Sequence, residues 1–419
     1  MKPILKVVFL SQLVVGAFAE DLAQVDRAIA ESKQPITPNF YNGSIHLSDL
    51  STTATAGGAM YTISAPGRYY VAGDLGIAPT NSRVAAIKIT ASNVFLDLNE
   101  MTIYQRAGNS QTGLMGIEIA SSVANVRIVN GVINGLNVSD ATEQNAGVVV
   151  SSSANNITIE DVMVMQCTSD TNEVAGFLLS SCNNVKLMNC EANGNGNALA
   201  TATDNSGMVN GFKLSSASNC VLENCLATGN SSADHHSHGF RIESSNYNSF
   251  IGCRAVNQST TSNDSGDMAT GFYCNDSVGN LFEKCVAMGG VAGSNAGALS
   301  VGFYLIGTTK YVTISQCLAQ SNSGGSGTGY GILVASTVSD CNITDNLALS
   351  NTGAVAGYGI VDSGSTNTMY TSNFAHSNRI PGGLVSNYNG SVGEVSTATY
   401  SNYNNLDNTR TGYNNLEIS

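Results

Sequence analysis

A glycine followed by a large apolar residue recurs along most of this chain at intervals of 28 to 35 residues. The pairs are Gly116-Ile117, Gly147-Val148, Gly176-Phe177, Gly211-Phe212, Gly239-Phe240, Gly271-Phe272, Gly302-Phe303, Gly331-Ile332 and Gly359-Ile360, with a degenerate forerunner at Ala86-Ile87. The second half of each unit keeps step with the first. Cys190, Cys225, Cys253 and Cys285 fall 14 residues after their glycine and Cys317 falls 15 after; Asn346 and Asn373 take the same place. Two residues on comes an alanine: Ala192, Ala227, Ala255, Ala287, Ala319, Ala348 and Ala375. Most units then carry an asparagine: Asn195, Asn230, Asn322, Asn351 and Asn378. Length varies mainly between that asparagine and the next glycine. A unit this short cannot enclose a core alone, so it has to stack on its neighbours.

Short segments such as FKLSS, CVLEN and LAT alternate large with small or polar residues, the period of a strand. Helical repeats would need a 3.6-residue period and strong helix formers, and these units are rich in Gly, Ser, Thr and Asn. Stacked coils pair each strand with its equivalent about 4.8 Å away, so like residues align in columns. Asparagine at tight turns accepts left-handed backbone angles, and its amide can hydrogen-bond along the stack.

Units of the form GFKLSSASNCVLENCLATGN resemble those of secreted right-handed parallel β-helix repeat proteins with the pectate-lyase-like scaffold. The segment PGRYYVAGDLG…AAIKITASNVFLDLNEMTI looks like the first coil of many of them. The resemblance covers about residues 61–380 and implies an all-β, single-stranded right-handed parallel β-helix of about ten coils. That scaffold carries lyases, hydrolases, epimerases, adhesins and tail fibres, so it does not by itself assign a reaction.

The flanks read differently. Lys2 and Lys6, an apolar run, and Ala17-Phe18-Ala19 form a signal-peptide pattern over residues 1–19, with cleavage expected after Ala19. This predicts a secreted, periplasmic or cell-surface protein with no membrane span. Residues 20–60 read as an N-terminal cap and linker, with 22–32 as a short amphipathic helix over the first coil. Residues 381–419 drop the repeat, become rich in Tyr and Asn, and read as a C-terminal cap or irregular tail. Charged residues make up only 11% and the net charge is −13, which excludes a nucleic-acid partner because phosphate binding needs clustered cations.

Ten cysteines in an exported chain suggest disulfides. The repeat argues for buried free thiols instead. Five of them form one column, and Cys220 and Cys341 share a second position four coils apart, roughly 19 Å by coil spacing and beyond bridging range.

Candidate chemistry lies two residues after each repeat glycine, where alternation points the side chain outward: Val149, Leu178, Lys213, Arg241, Tyr273, Tyr304, Leu333 and Val361. Lys213, Arg241, Tyr273 and Tyr304 on successive coils could bind an acidic sugar chain, with the cations on carboxylates and the tyrosines against sugar rings. The loops entering these coils add Asp204, Asp234, His235, His236, His238, Asp264 and Asp267. Asp204, Asp234 and Asp267 could hold Ca2+, although no cofactor is required. The three histidines could hold a transition metal, but their spacing is not a recognised ligand motif. Ser237-His238-Gly239 is similar to the [G/S]-H-G element of polygalacturonase-type hydrolases. The N-T-D and D-D elements that accompany it there are absent, as are the lyase W-x-D-H and R-x-P-x-x-R patterns.

Two readings remain open from sequence. One is an exported β-helix that binds a polysaccharide, expected to be acidic, or a cell-surface glycan, with cleavage by elimination as an added activity. In that case Arg241, Lys213 or Ca2+ on Asp234 and Asp267 would neutralise a uronate, and His238, Lys213 or a tyrosine would abstract the proton. The other is a non-enzymatic adhesin or structural rod.

Overall fold

The computed structural model describes residues 45–47, 58–138, 146–169, 173–197, 207–233, 235–261, 266–379 and 386–389. Among these there are strands and turns and no helix. The expected signal peptide, the helix at 22–32 and most of the C-terminal tail lie outside the described residues.

Every strand pairing is parallel, and each coil lies on the next as a β-helix. The first sheet has twelve strands, one per coil, among them Val174–Ser180, Val209–Ser215, Ser237–Glu243, Met268–Asn275 and Leu299–Ile306. A second sheet of 21 strands takes two short strands from most coils, such as Val221–Glu223 and Leu226–Thr228. Four two-residue strands form a third sheet: Thr168–Ser169, Gly196–Asn197, Ser231–Ser232 and Ser259–Thr260. Ile45–Leu47 pairs with Tyr69–Val71, and Ser386–Asn389 pairs along the Ala356–Asp362 strand. The stack therefore runs past both ends of the 61–380 span expected from sequence.

The repeat residues form columns. Ile117, Val148, Phe177, Phe212, Phe240, Phe272, Phe303, Ile332 and Ile360 are in register down the first sheet. The five phenylalanines face inward and stack at 4.7–4.9 Å between centroids, within 6° of parallel. This is the coil spacing itself, and it lets each ring cover its neighbour's face. The glycine before each ring meets the alanine column across the interior. A Cβ on Gly239 or Gly271 would sit 2.5 Å from that of Ala255 or Ala287. Neither sheet could come this close with a larger residue on either side.

All ten cysteines are free and buried. Cys190, Cys225, Cys253, Cys285 and Cys317 form the expected column, and each thiol donates to a carbonyl of the previous coil: Ile159, Leu187, Leu222, Phe250 and Phe282, at 3.2–3.6 Å. Asn346 and Asn373 make the same bond through Nδ2, to Ile314 and Ile343. Cysteine and asparagine can replace each other at this position because both are small and both can donate there. Burial pushes the Cys167 and Cys274 thiols up to about 12, so they stay protonated.

The asparagine column differs from its sequence reading. Asn195, Asn230, Asn322, Asn351 and Asn378 are buried, and their amides bond coil to coil, as in Asn351 Nδ2 to Asn378 Oδ1 at 2.8 Å. They do not take the left-handed angle. The preceding residue does, at Gly194, Gly229, Ser321, Ser350 and Ser377. The amide instead satisfies backbone groups that the bend leaves buried, such as the Ala348 carbonyl.

Two expectations follow. Gly271→Ala should lower unfolding free energy by about 1–3 kcal/mol through overpacking. Gly73→Ala, where nothing lies within 4 Å of the new methyl, should change it by no more than about 0.5 kcal/mol. Equal urea midpoints for the two variants would contradict the pinched interior. Titration of the unfolded, unreduced protein should find ten thiols.

Candidate functional site

The outward side of the first sheet carries two columns, because the backbone bulges at each repeat glycine. One runs Val149, Leu178, Lys213, Arg241, Tyr273, Tyr304, Leu333 and Val361, the positions expected from sequence. The other is the residue before the glycine: Asn210, His238, Thr270, Val301, Tyr330 and Tyr358. Together they make a surface that is charged at Asn210–Arg241 and aromatic from Tyr273 onward.

At the charged end the cations are already paired. Glu173, from the coil before Lys213, receives Lys213 Nζ at 2.5 Å, Arg241 Nη1 at 2.7 Å and Asn210 Nδ2 at 2.5 Å. Glu243 takes Arg241 Nη2 at 2.6 Å. Lys213, Arg241 and Glu173 have side chains only 10–16% exposed, so this is a desolvated network. Lys213 and Arg241, expected from sequence to meet a uronate carboxylate, are here paired with Glu173 and Glu243. Glu173 escaped sequence reading because it is 40 residues from Lys213 and 68 from Arg241.

The histidines stack above this network. His235 and His236 rings lie 3.7 Å apart, His236 and His238 5.8 Å, and His238 reaches Tyr273 at 4.8 Å. His235 Nδ1 meets the fully buried Asp267 at 2.8 Å. Burial, then His235 and Arg241, push His236 down to about 3. Burial and Arg241 hold His238 well below the usual imidazole range. Its Nδ1 is buried with no hydrogen-bond partner among the described residues. Burial raises Tyr273 to about 12. An effective general base titrates near working pH, which none of these three does.

Asp204, Asp234 and Asp264 lie outside the described residues, so of the expected Ca2+ ligands only Asp267 can be placed. Among the described residues, the grouping whose ligand atoms converge is His235, His236 and Asp267, all within 4.8 Å of one another. His238, named from sequence as a third imidazole, faces Tyr273 instead. His236 Nδ1 already accepts the Met268 amide at 3.1 Å, so a metal there would have to displace that bond.

The aromatic end is continuous. Tyr273 and Tyr304 meet edge to face at 5.8 Å, and Tyr330 and Tyr358 stack at 5.4 Å. All four are half-buried, and Val301, Leu333 and Val361 pack beneath them. Tyr330 and Tyr358 were missed from sequence because only the position after the glycine was read as outward.

No protein-family model and no curated protein matches the chain. Solved structures similar to it include the Dettilon tailspike protein gp208, at 12% identity over 83% of this chain and 61% of that one, with a TM-score of 0.49. The periplasmic alginate epimerase AlgG is 12% identical over 83% and 82%, with a TM-score of 0.44. An endo-xylogalacturonan hydrolase from Aspergillus tubingensis is 12% identical over 84% and 100%, with a TM-score of 0.38. The chain spans about three fifths of the tailspike's length.

The buried imidazoles set a pH dependence. Their folded pKa lies below the unfolded value of 6.5, at about 3 for His236 and well below the usual range for His238, so their stabilisation is complete above pH 6.5 and is lost as the pH falls below it. Thermal unfolding should show stability falling from pH 7 to pH 5, by up to about 1.4 kcal/mol per pH unit for each imidazole. His236→Asn/His238→Asn should flatten this limb. An unchanged slope would mean that these rings bind protons in the folded state.

Proposed function

We propose that the outward face of the first sheet binds a polysaccharide, and that it does so without cleaving it. The observation that carries this reading is the row Tyr273, Tyr304, Tyr330 and Tyr358, half-buried on four adjacent coils. A tyrosine ring packs against the C–H face of a sugar while its hydroxyl meets the sugar's own. Rings repeating about every 4.8 Å along the stack suit a polymer lying along the axis. Fixed rings on a sheet lose little entropy on binding.

The charged end argues against a strongly acidic ligand on this face. Two cations meet two carboxylates there, and a uronate would have to displace Glu173. Elimination is disfavoured for the same reason, and because His238 and Tyr273 are both held away from neutral pH. A secreted or surface protein that adheres to glycans fits these features.

Glycan-array binding and calorimetry test it. Tyr304→Ala/Tyr330→Ala should weaken binding to the recognised glycan by at least about tenfold, in line with the loss of buried aromatic anchors. Glu173→Gln should free Lys213 and Arg241 and shift preference on this face toward uronate-containing chains. Undiminished binding in the tyrosine variant, or release of unsaturated uronates by the native protein, would overturn the reading.

A further inference from the structure

A different cationic stripe lies on the second sheet. Arg68, Phe95, Arg127, Thr158 and Lys186 are in register on successive coils. Val94, Leu96, Val126 and Ile128 beside them are buried, so alternation turns this column outward. Phe95 lies between the two arginines. The guanidinium carbon of Arg68 is 4.8 Å from the ring centroid, and that of Arg127 is 5.9 Å away. The ring therefore sets the direction of both forks through cation–π contact.

The two arginines differ in what they meet. Arg127 pairs with Glu160 at 2.5 Å with its side chain 54% exposed. Lys186 pairs with Glu223 at 3.0 Å. Among the described residues, the Arg68 guanidinium meets only the Phe95 ring. It is exposed and faces a cleft of about 390 Å3 lined by Gly67, Phe95, Asn125, Arg127 and Asn156. The rim of the cleft is fixed. Asn125 Nδ2 donates to Asn93 at 2.9 Å, and Asn156 Nδ2 donates to Asn125 at 2.7 Å.

We propose that this cleft binds a carboxylate-bearing saccharide chain, independently of the tyrosine face. Arginine recognises carboxylate through two parallel N–H bonds, and Arg68 has that fork unused among the described residues. Arg127 stands two coils further on, about 10 Å by coil spacing. A polymer with an anionic group on every unit places one carboxylate in the Arg68 fork and a later one against the Nη1 side of Arg127, whose Nη2 holds Glu160, whereas a single small anion reaches one guanidinium. The chain has only 17 Lys and Arg against 30 Asp and Glu, and on this stripe Arg127 and Lys186 are paired with Glu160 and Glu223, so Arg68 carries the charge left uncompensated among the described residues. Such binding is local and weakens with salt.

The test is calorimetry on the full chain at low ionic strength, with hexagalacturonate, a neutral cello-oligosaccharide of equal length, and inorganic phosphate as probes. Hexagalacturonate should bind, and Arg68→Ala/Arg127→Ala should weaken it at least about tenfold. Arg68→Lys, which keeps charge and loses the fork, should fall between. Tyr304→Ala/Tyr330→Ala should leave this binding unchanged, so loss of the tyrosine face and loss of this cleft are read separately. The proposal fails if hexagalacturonate does not bind or if the double arginine variant binds it as the native protein does. It also fails if the neutral oligomer binds equally, or if phosphate binds as tightly and marks a simple anion site only. Both arginines are exposed, and an unshifted melting temperature verifies that the variants are folded.

Discussion

Everything in this protein depends on the parallel backbone ladder between one coil and the next. Each coil is too small to have an interior. Its strands are completed only when the carbonyls of one turn receive the amides of another. Because the ladder runs in register, a residue type chosen once is presented again at the next level. Phenylalanine then stacks on phenylalanine, thiol follows thiol, and amide follows amide. The stack also over-determines its corners. Lys284, Gln316 and Ser372 take left-handed angles that single residues of these types seldom adopt, and they do so at the bend shared with Asn189, Asn224 and Gly252.

The same ladder shapes the outer surface. Side chains that are neighbours in space are about one repeat apart in sequence, so charge pairing is decided between coils. Glu173 meets Lys213 one coil on and Arg241 two coils on, and a surface that reads as cationic along one column is neutral in three dimensions. The second sheet shows the opposite outcome. Phe95 separates Arg68 from Arg127, and Glu160 lies beyond Arg127, so among the described residues the Arg68 guanidinium keeps its charge unpaired.

What the sequence disclosed follows from this geometry. The glycine, alanine and cysteine columns were legible because the core admits few residue types and repeats them at near-constant offsets. The thiols were legible as unpaired for the same reason. Glu173 was not, because its loop breaks the period and its role appears only when two coils are laid side by side. Tyr330 and Tyr358 were hidden by the bulge at each glycine, which lets residues three apart face the same way. The role of Asn195 and its equivalents was half legible: the amide ladder was expected, but the left-handed turn belongs to the preceding residue.

The glycine-to-alanine approach across the interior has a consequence for how such a protein can change over time. Because the levels from Gly176 to Gly331 are pinched to one thickness, the cross-section there admits no gradual taper or swelling; a residue inserted within a strand would turn its neighbours to the wrong face, whereas the extra residue between Gly302 and Cys317 leaves Ala319 in register with Ala287. Gain or loss of one whole winding leaves each junction chemically as it was. The molecule's length is in that sense quantised, and duplication of about thirty codons is the smallest step by which it could lengthen its binding faces without rebuilding its interior.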